Sequence, residues 1–191
     1  MINQFAKQLI NILTSKTKQS VDSDQLEVYI YGLKCLINTA VPVILLTVFS
    51  FFTSTVFETW LWIITFSFLR KYTGGYHASS QLSCMASSMC LGMVNTILII
   101  HYTLHRSAIV ICYVIFATLI LLFCPIESTK KTLTASRQKQ YKYFTLLLIT
   151  ALSLLSLYLP ETYAMTLIYS VFSCLFLVLL EVLHRINCHL R

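Results

Sequence analysis

Residues 36–69 read LINTAVPVILLTVFSFFTSTVFETWLWIITFSFL and decide the class of the protein. As one α-helix this run would be about 51 Å long, too long for one upright crossing of a hydrocarbon core of about 30 Å. The polar run Thr53-Ser54-Thr55, followed by Glu58, is where we expect the helix to break. The stretch therefore predicts two consecutive membrane spans, at about 36–53 and 57–69.

Four further apolar runs predict spans at about 84–100, 107–124, 144–159 and 163–183. The whole chain is 57% hydrophobic and 11% charged, whereas a soluble domain has about a quarter charged residues. Runs of this length suit helices rather than β-barrel strands of about ten alternating residues. We therefore predict an all-α, polytopic membrane protein of about six transmembrane helices, forming a single integral membrane domain over residues 1–191.

The N-terminal region, residues 1–35, is expected to be cytoplasmic. Apolar residues at three- and four-residue spacing in 2–13 (INQFAKQLINIL) predict an amphipathic helix, which lies in the membrane interface or packs as an ordinary helix. The region lacks the long apolar core of a cleavable signal, so the first span is expected to be an uncleaved anchor.

The distribution of basic residues predicts the orientation of the spans. With a cytoplasmic N-terminus, every Lys and Arg except Arg106 falls in a segment on the inside, as the preference of cytoplasmic loops for basic residues requires. Both termini are therefore predicted to be cytoplasmic. We attribute the net charge of +7 to basic residues that flank the spans and contact membrane lipid, and we expect no nucleic-acid partner.

The polar segment between the second and third spans, residues 70–84 (RKYTGGYHASSQLSC), contains two of the four glycines of the chain. Gly74 and Gly75 permit positive φ or close backbone approach. His77 and Cys84 supply a base and a thiol, the minimal pair for cysteine catalysis. On the predicted topology this segment lies at the cytoplasmic face.

Helix geometry restricts how His77 and Cys84 could act together. Seven residues apart on one continuous helix, they would be separated by about 10.5 Å along the axis, beyond hydrogen-bond reach. We therefore expect the segment to fold back, with the bend at Ser79 or Ser80. Cys84 is expected near the start of the third span, where the partial positive charge of a helix N-terminus favours a thiolate.

The pattern formed by Arg70, Gly74, Gly75, His77 and Cys84 resembles the signature of the accessory gene regulator protein B family, membrane endopeptidases that process a quorum-sensing peptide precursor. The resemblance extends over essentially the whole chain. It implies that Cys84 is the nucleophile and His77 its general base, with Arg70, Gly74 and Gly75 in supporting positions.

The resemblance also implies the substrate and the setting. The partner would be a small precursor peptide with an amphipathic N-terminus, a signal region containing Cys or Ser, and an acidic C-terminal tail. Cleavage through an acyl-thioester on Cys84 would permit closure of a thiolactone or lactone and would require no metal or other cofactor. The protein would be a multi-pass cell-membrane protein with a cytoplasmic-facing site, and could form a homodimer.

Several residues near the predicted site allow more than one interpretation. Lys130 and Lys131 belong to a basic loop that could bind the acidic tail or could contact lipid. Glu181 could orient His77, could pair with Arg70, or could simply lie at the interface, and His184 is a rival base. His101 and His105, four residues apart, would make an incomplete metal site.

Two other functions fit a small membrane protein. A transporter would need polar or charged groups spread through its spans, and beyond Asn95 and scattered Ser and Thr we expect few of them. A non-catalytic membrane scaffold would tolerate Cys84→Ala, which separates it from an endopeptidase.

Overall fold

The computed structural model describes residues 8 and 12, 23–76, 81–102, 104–123 and 134–189. Within them lie six helices and no strand: α1 (Ser23–Thr53), α2 (Val56–Thr73), α3 (Gln81–His101), α4 (Arg106–Phe123), α5 (Ala135–Tyr158) and α6 (Glu161–His189). The prediction of an all-α chain is confirmed. The amphipathic helix predicted at 2–13 lies outside the described residues, apart from Gln8 and Ile12, which are helical.

Five of the six helices are long and apolar enough to cross a membrane. The remaining one, α2, has 18 residues but carries Glu58, Arg70 and Lys71 among them. The prediction of a polytopic helical membrane protein is thus confirmed, whereas the cytoplasmic location of both termini stays a prediction.

The interruption expected at Thr53-Ser54-Thr55 is present between α1 and α2. Ser54 adopts a φ of 56°, and the Thr55 amide donates a hydrogen bond of 3.0 Å to the Ser50 carbonyl. The hydroxyls of Thr53 and Thr55 hydrogen-bond to each other at 2.8 Å. With so short a connection, α1 and α2 form an antiparallel helical hairpin.

Several helices extend beyond the predicted spans. α1 begins at Ser23 rather than at the first residue of the apolar run, and α5 begins at Ala135. Helix formation is cooperative, so a helix nucleated in an apolar run continues into polar flanks that have no residue to stop it. The apolar runs therefore mark the parts of the helices that suit a hydrocarbon core, not the helix ends.

The core of the bundle is organised around α6, which packs against α2, α3, α4 and α5. Its buried residues recur at three- and four-residue spacing: Ala164, Leu167, Ile168, Val171, Cys174, Leu175 and Val178. On α2, Trp62 stacks on Phe66 with ring centroids 4.7 Å apart. The Cys174 thiol donates to the Phe66 carbonyl at 3.7 Å, which joins α6 to α2.

A second close contact joins α1 to α3. Gly92 of α3 is buried, and a Cβ built on it would lie 2.6 Å from Cδ1 of Leu46 in α1. The missing side chain therefore lets Leu46 pack directly on the α3 backbone, with Leu46 only 2% exposed.

Two hydrogen bonds hold the end of the bundle at which α3 leads into α4. Where α3 leads into α4, the Leu104 amide donates to Sδ of Met165 at 3.3 Å. Arg106 donates to the Leu157 carbonyl at 2.7 Å. These contacts place the α3–α4 connection beside the α5–α6 connection.

Candidate active site

The chain leaves α2 through two glycines that both adopt positive φ, 71° at Gly74 and 121° at Gly75. The Gly74 amide donates to the Arg70 carbonyl at 3.1 Å and closes the helix. A Cβ on Gly75 would lie 3.2 Å from the carbonyl carbon of Leu177 in α6. Gly75 thus combines positive φ with close backbone approach, the two properties for which glycine is suited.

Tyr76 is held by main-chain hydrogen bonds on both sides. Its amide donates to the Leu177 carbonyl at 2.9 Å, and its carbonyl accepts from Nη2 of Arg70 at 2.8 Å. The Tyr76 ring also meets the His184 ring edge to face, with centroids 5.8 Å apart. α2 and α6 therefore fix the residue that immediately precedes His77 in the chain. His77, Ser79 and Ser80 themselves lie outside the described residues.

Cys84 occupies the first turn of α3, as expected for a thiol near a helix N-terminus. Its side chain is partly buried, and Nδ2 of Asn38, from α1, lies 4.0 Å from its Sγ. The Cys84 carbonyl accepts from the hydroxyls of Ser87 and Ser88 at 2.9 and 3.1 Å. The other amide atom of Asn38, Oδ1, is buried without a hydrogen-bond partner among the described residues.

Arg70 lies near the end of α2, just after the predicted span, and is partly buried. Burial lowers the pKa of its guanidinium, while the Cys84 and Cys174 sulfurs, when ionised, raise it. The guanidinium of Arg70 thus lies within electrostatic range of Cys84. Arg70 therefore supports the main chain before His77 and also acts electrostatically on Cys84.

The remaining candidates fall in three places. Glu181 forms an ion pair of 3.0 Å with Arg185, one turn along the same helix. His184 contacts Tyr76 through its ring, as described above. Lys130 and Lys131 lie outside the described residues, and among those described no three His, Cys, Asp or Glu side chains form a group that could hold a metal.

Asn38 is a polar neighbour of Cys84 that the sequence analysis missed. It was treated as part of an apolar span, and its contact with Cys84 joins residues 46 positions apart. A signal for it existed, because positions 38 and 70 each lie sixteen residues from Ser54 at the turn of the hairpin. At 1.5 Å per residue, both are about 24 Å from that turn, so the hairpin brings Asn38 and Arg70 to the same level.

Comparison of the sequence with known proteins gives matches of two kinds, to a family profile and to individual relatives. The Accessory gene regulator B family profile matches residues 6–183. The chain is 28% identical over 100 residues to accessory gene regulator protein B of Staphylococcus aureus strain MW2 and 27% identical to that of strain MRSA252, in each case over 52% of this chain and 54% of the relative. A Clostridium perfringens (strain 13 / Type A) protein, named as AgrB-like, is 25% identical over 78% of this chain and 73% of its own.

The chain spans about half the length of the first two relatives, 54% in each alignment. No solved structure matches it. The family profile, in contrast, covers all six described helices almost completely, from before α1 to near the end of α6. By this match, the chain belongs to the Accessory gene regulator B family.

Proposed function

We propose that the protein is a multi-pass cell-membrane cysteine endopeptidase that processes the precursor of a quorum-sensing peptide. Cys84 is the nucleophile and His77 is the general base, at the cytoplasmic face. Membership of the Accessory gene regulator B family supports a role in processing a quorum-sensing peptide. The observation that carries the choice of nucleophile is the position of Cys84 in the first turn of α3, beside the Asn38 amide and within electrostatic range of Arg70.

The reaction follows the chemistry of an activated thiol. His77 takes the proton of Cys84, and the thiolate attacks the carbonyl carbon of the peptide bond before the C-terminal tail. The S–C bond forms, the C–N bond breaks, and His77 returns the proton to the leaving nitrogen. The tail departs with a free amine, and an acyl-thioester remains on Cys84.

The substrate completes the second step. His77, neutral again, takes the proton of a Cys or Ser side chain within the bound peptide. That side chain attacks the thioester carbonyl, and the S–C bond to Cys84 breaks. A cyclic thiolactone or lactone leaves, and the Cys84 thiolate is regenerated. Exclusion of water from the site favours this closure over hydrolysis. Neither step requires a metal ion or other cofactor.

The Gly74–Tyr76 segment supports the role of His77 as base. Tyr76 is anchored to α6 through Leu177 and to α2 through Arg70, and His77 is the next residue. A base must lie within hydrogen-bond reach of the proton it removes, so a fixed preceding residue limits the positions available to the imidazole. His184 serves instead to pack against Tyr76.

Basic residues before and within α5 bind the acidic tail of the substrate. Tyr72 contacts the Phe144 ring at 4.2 Å and the Tyr141 ring at 5.5 Å, which brings the first turns of α5 to the end of α2. Arg137 and Lys139 are exposed in those turns, and Lys130 and Lys131 precede them in the chain. A concentration of positive charge beside the site attracts an acidic peptide.

Co-expression with a tagged precursor peptide, to be sought as a short reading frame beside the gene, tests the function. The wild type should release the tail and a cyclic peptide, detected by mass spectrometry. Cys84→Ala should abolish release at unchanged protein level in the membrane, and His77→Ala should lower the rate by about 10² to 10⁴. His184→Phe keeps a ring beside Tyr76 and should retain activity. Release by Cys84→Ala would favour a scaffold or transporter instead.

The tail-binding loop is tested separately. Replacing Lys130 and Lys131 by Gln should raise KM more than it lowers kcat and should weaken the dependence of KM on salt. Lys34→Gln, which removes a charge from α1, should leave both quantities near the wild-type values. An unchanged KM in the loop variant would assign Lys130 and Lys131 to lipid contact.

A further inference from the structure

We infer that Asn38 is the oxyanion donor of this site, a role that rests on the proposed function. Its side-chain amide, from α1, stabilises the negative oxygen that forms when the Cys84 thiolate attacks the substrate carbonyl. Asn38 thereby makes α1 part of the catalytic apparatus, although it lies 46 residues before the nucleophile.

The distance between Asn38 and Cys84 fits this role. In the tetrahedral intermediate, the S–C bond has formed, the carbonyl electron pair has moved to the oxygen, and that oxygen is two bonds from Sγ. An effective donor lies about 2.7 to 3.1 Å from the oxyanion position. A donor nitrogen 4.0 Å from Sγ leaves room for the oxygen beside it, whereas a shorter contact with the sulfur would occupy that space.

The environment of the Asn38 amide also supports the role of oxyanion donor. Oδ1 of Asn38 is buried and has no hydrogen-bond partner among the described residues, so this carboxamide is not placed where packing alone would favour it. A donor held in a partly buried site also acts on a developing charge with less screening than in water. Collapse of the intermediate then expels the amine nitrogen, and the oxygen returns to a carbonyl in the thioester.

The position of Asn38 is set by rigid packing. Asn38 of α1 lies beside Cys84 of α3, and eight residues further along both helices Leu46 lies against Gly92. Two contacts with the same spacing on both helices mean that α1 and α3 run parallel in register. The donor is therefore held on helices and not on a loop, which suits preorganised stabilisation of a transition state.

Two reactions of Cys84 separate this role from a merely structural one. Acylation by the precursor peptide passes through an oxyanion, whereas alkylation by iodoacetamide displaces iodide at a saturated carbon and forms none. Asn38→Ala should lower the single-turnover acylation rate by about 10² to 10³ with little change in KM. Alkylation of Cys84, followed by mass spectrometry of the purified protein in detergent, should stay near the wild-type rate.

Asn95→Ala is the matched control. Asn95 is also a buried amide without hydrogen-bond partners among the described residues, but it lies eleven residues beyond Cys84 on α3, about 16 Å along the axis. It should acylate at close to the wild-type rate. Asn38→Asp keeps the shape of the side chain and removes the donor, so its acylation rate should fall as in Asn38→Ala. It provides the test if the alanine variant is produced in low yield.

The possible outcomes separate failure of the oxyanion role from failure of the proposed endopeptidase function on which it rests. Acylation of Asn38→Ala or Asn38→Asp at the wild-type rate overturns the oxyanion role and leaves Cys84 as the nucleophile. Equal losses of acylation and alkylation in both variants also overturn it, because they mean that the site is distorted. Cleavage by Cys84→Ala overturns both the proposed function and the inference.

Discussion

The Tyr76 amide donates a hydrogen bond of 2.9 Å to the Leu177 carbonyl, and this bond attaches the segment after α2 to the central helix α6. The contact brings the main chain at Gly75 so close to Leu177 that a Cβ there would lie 3.2 Å from the Leu177 carbonyl carbon, tighter than ordinary van der Waals contact. Because His77 follows directly in the chain, we expect the proposed base to depend on a glycine two residues before it.

Gly75→Ala should therefore abolish or strongly reduce precursor cleavage. The left-handed backbone at a φ of 121° and the contact of 3.2 Å with Leu177 each oppose a Cβ, and strain of this kind costs about 1–3 kcal/mol. Gly32→Ala is the control, because Gly32 lies in α1 with nothing within 4 Å of its Cβ position. It should keep full cleavage and gain helix stability of about 0.5–1 kcal/mol, measured by thermal denaturation in detergent. Normal cleavage by Gly75→Ala would contradict the role of this anchor.

Arg70→Gln should slow alkylation of Cys84 by iodoacetamide at neutral pH. The substitution removes a positive charge within electrostatic range of Cys84, and a nearby positive charge attracts the anionic form of a thiol. It also removes the hydrogen bond to the Tyr76 carbonyl. Arg70→Lys keeps the charge and should alkylate faster than Arg70→Gln. Lys71→Gln removes a neighbouring, exposed charge and should leave the rate unchanged. Equal rates for Arg70→Gln and the wild type would exclude the electrostatic role.

Gly92→Ala should disturb the site from a distance. The added methyl group overlaps the ends of the buried Leu46 side chain, so that side chain must move. Any overlap that its movement does not relieve shifts α1 away from α3 and Asn38 away from Cys84. Leu46→Val removes the overlapping atoms, so the double variant should recover part of the lost stability and cleavage. A double-mutant cycle on melting temperature and cleavage rate measures the coupling. Strictly additive effects would mean that the two residues do not act through one contact.

Single cysteines introduced at the two ends of the bundle test the orientation, in a background where the native cysteines are replaced. Tyr102 and Glu161 are exposed near the α3–α4 and α5–α6 connections, and Lys71 and Ser136 are exposed near the proposed site. A membrane-impermeant maleimide added to intact cells should label positions 102 and 161 and not 71 and 136. The reverse result would place Cys84 on the outer face and would exclude a cytoplasmic reaction.

The helices could be predicted from the sequence because hydropathy and helix length act locally. The break at Ser54 follows from the length of one apolar run, and the position of Cys84 at the start of α3 follows from where polar residues give way to apolar ones. The positive φ of Gly74 and Gly75 follows from the paired glycines. Each of these features depends on neighbouring residues alone.

Contacts between helices could not be predicted in the same way. Glu181 was a candidate partner for Arg70 of α2, but it pairs with Arg185 on its own helix, and Arg70 donates to the Tyr76 carbonyl. His77, its other candidate partner, lies outside the described residues. Likewise, the Leu177 carbonyl belongs to a residue whose side chain suggests only apolar packing. Its role depends on where α6 passes the end of α2, which composition and spacing do not reveal.

The two-residue connection Ser54-Thr55 makes the hairpin intolerant of changes in length. Asn38 and Arg70 reach the level of Cys84 only because each lies sixteen residues from Ser54. One residue inserted in either arm would advance the site residue by about 1.5 Å and rotate it by about 100° around the helix. A single insertion or deletion between Asn38 and Arg70 should therefore be more harmful to this site than an exchange of one lipid-facing apolar residue for another.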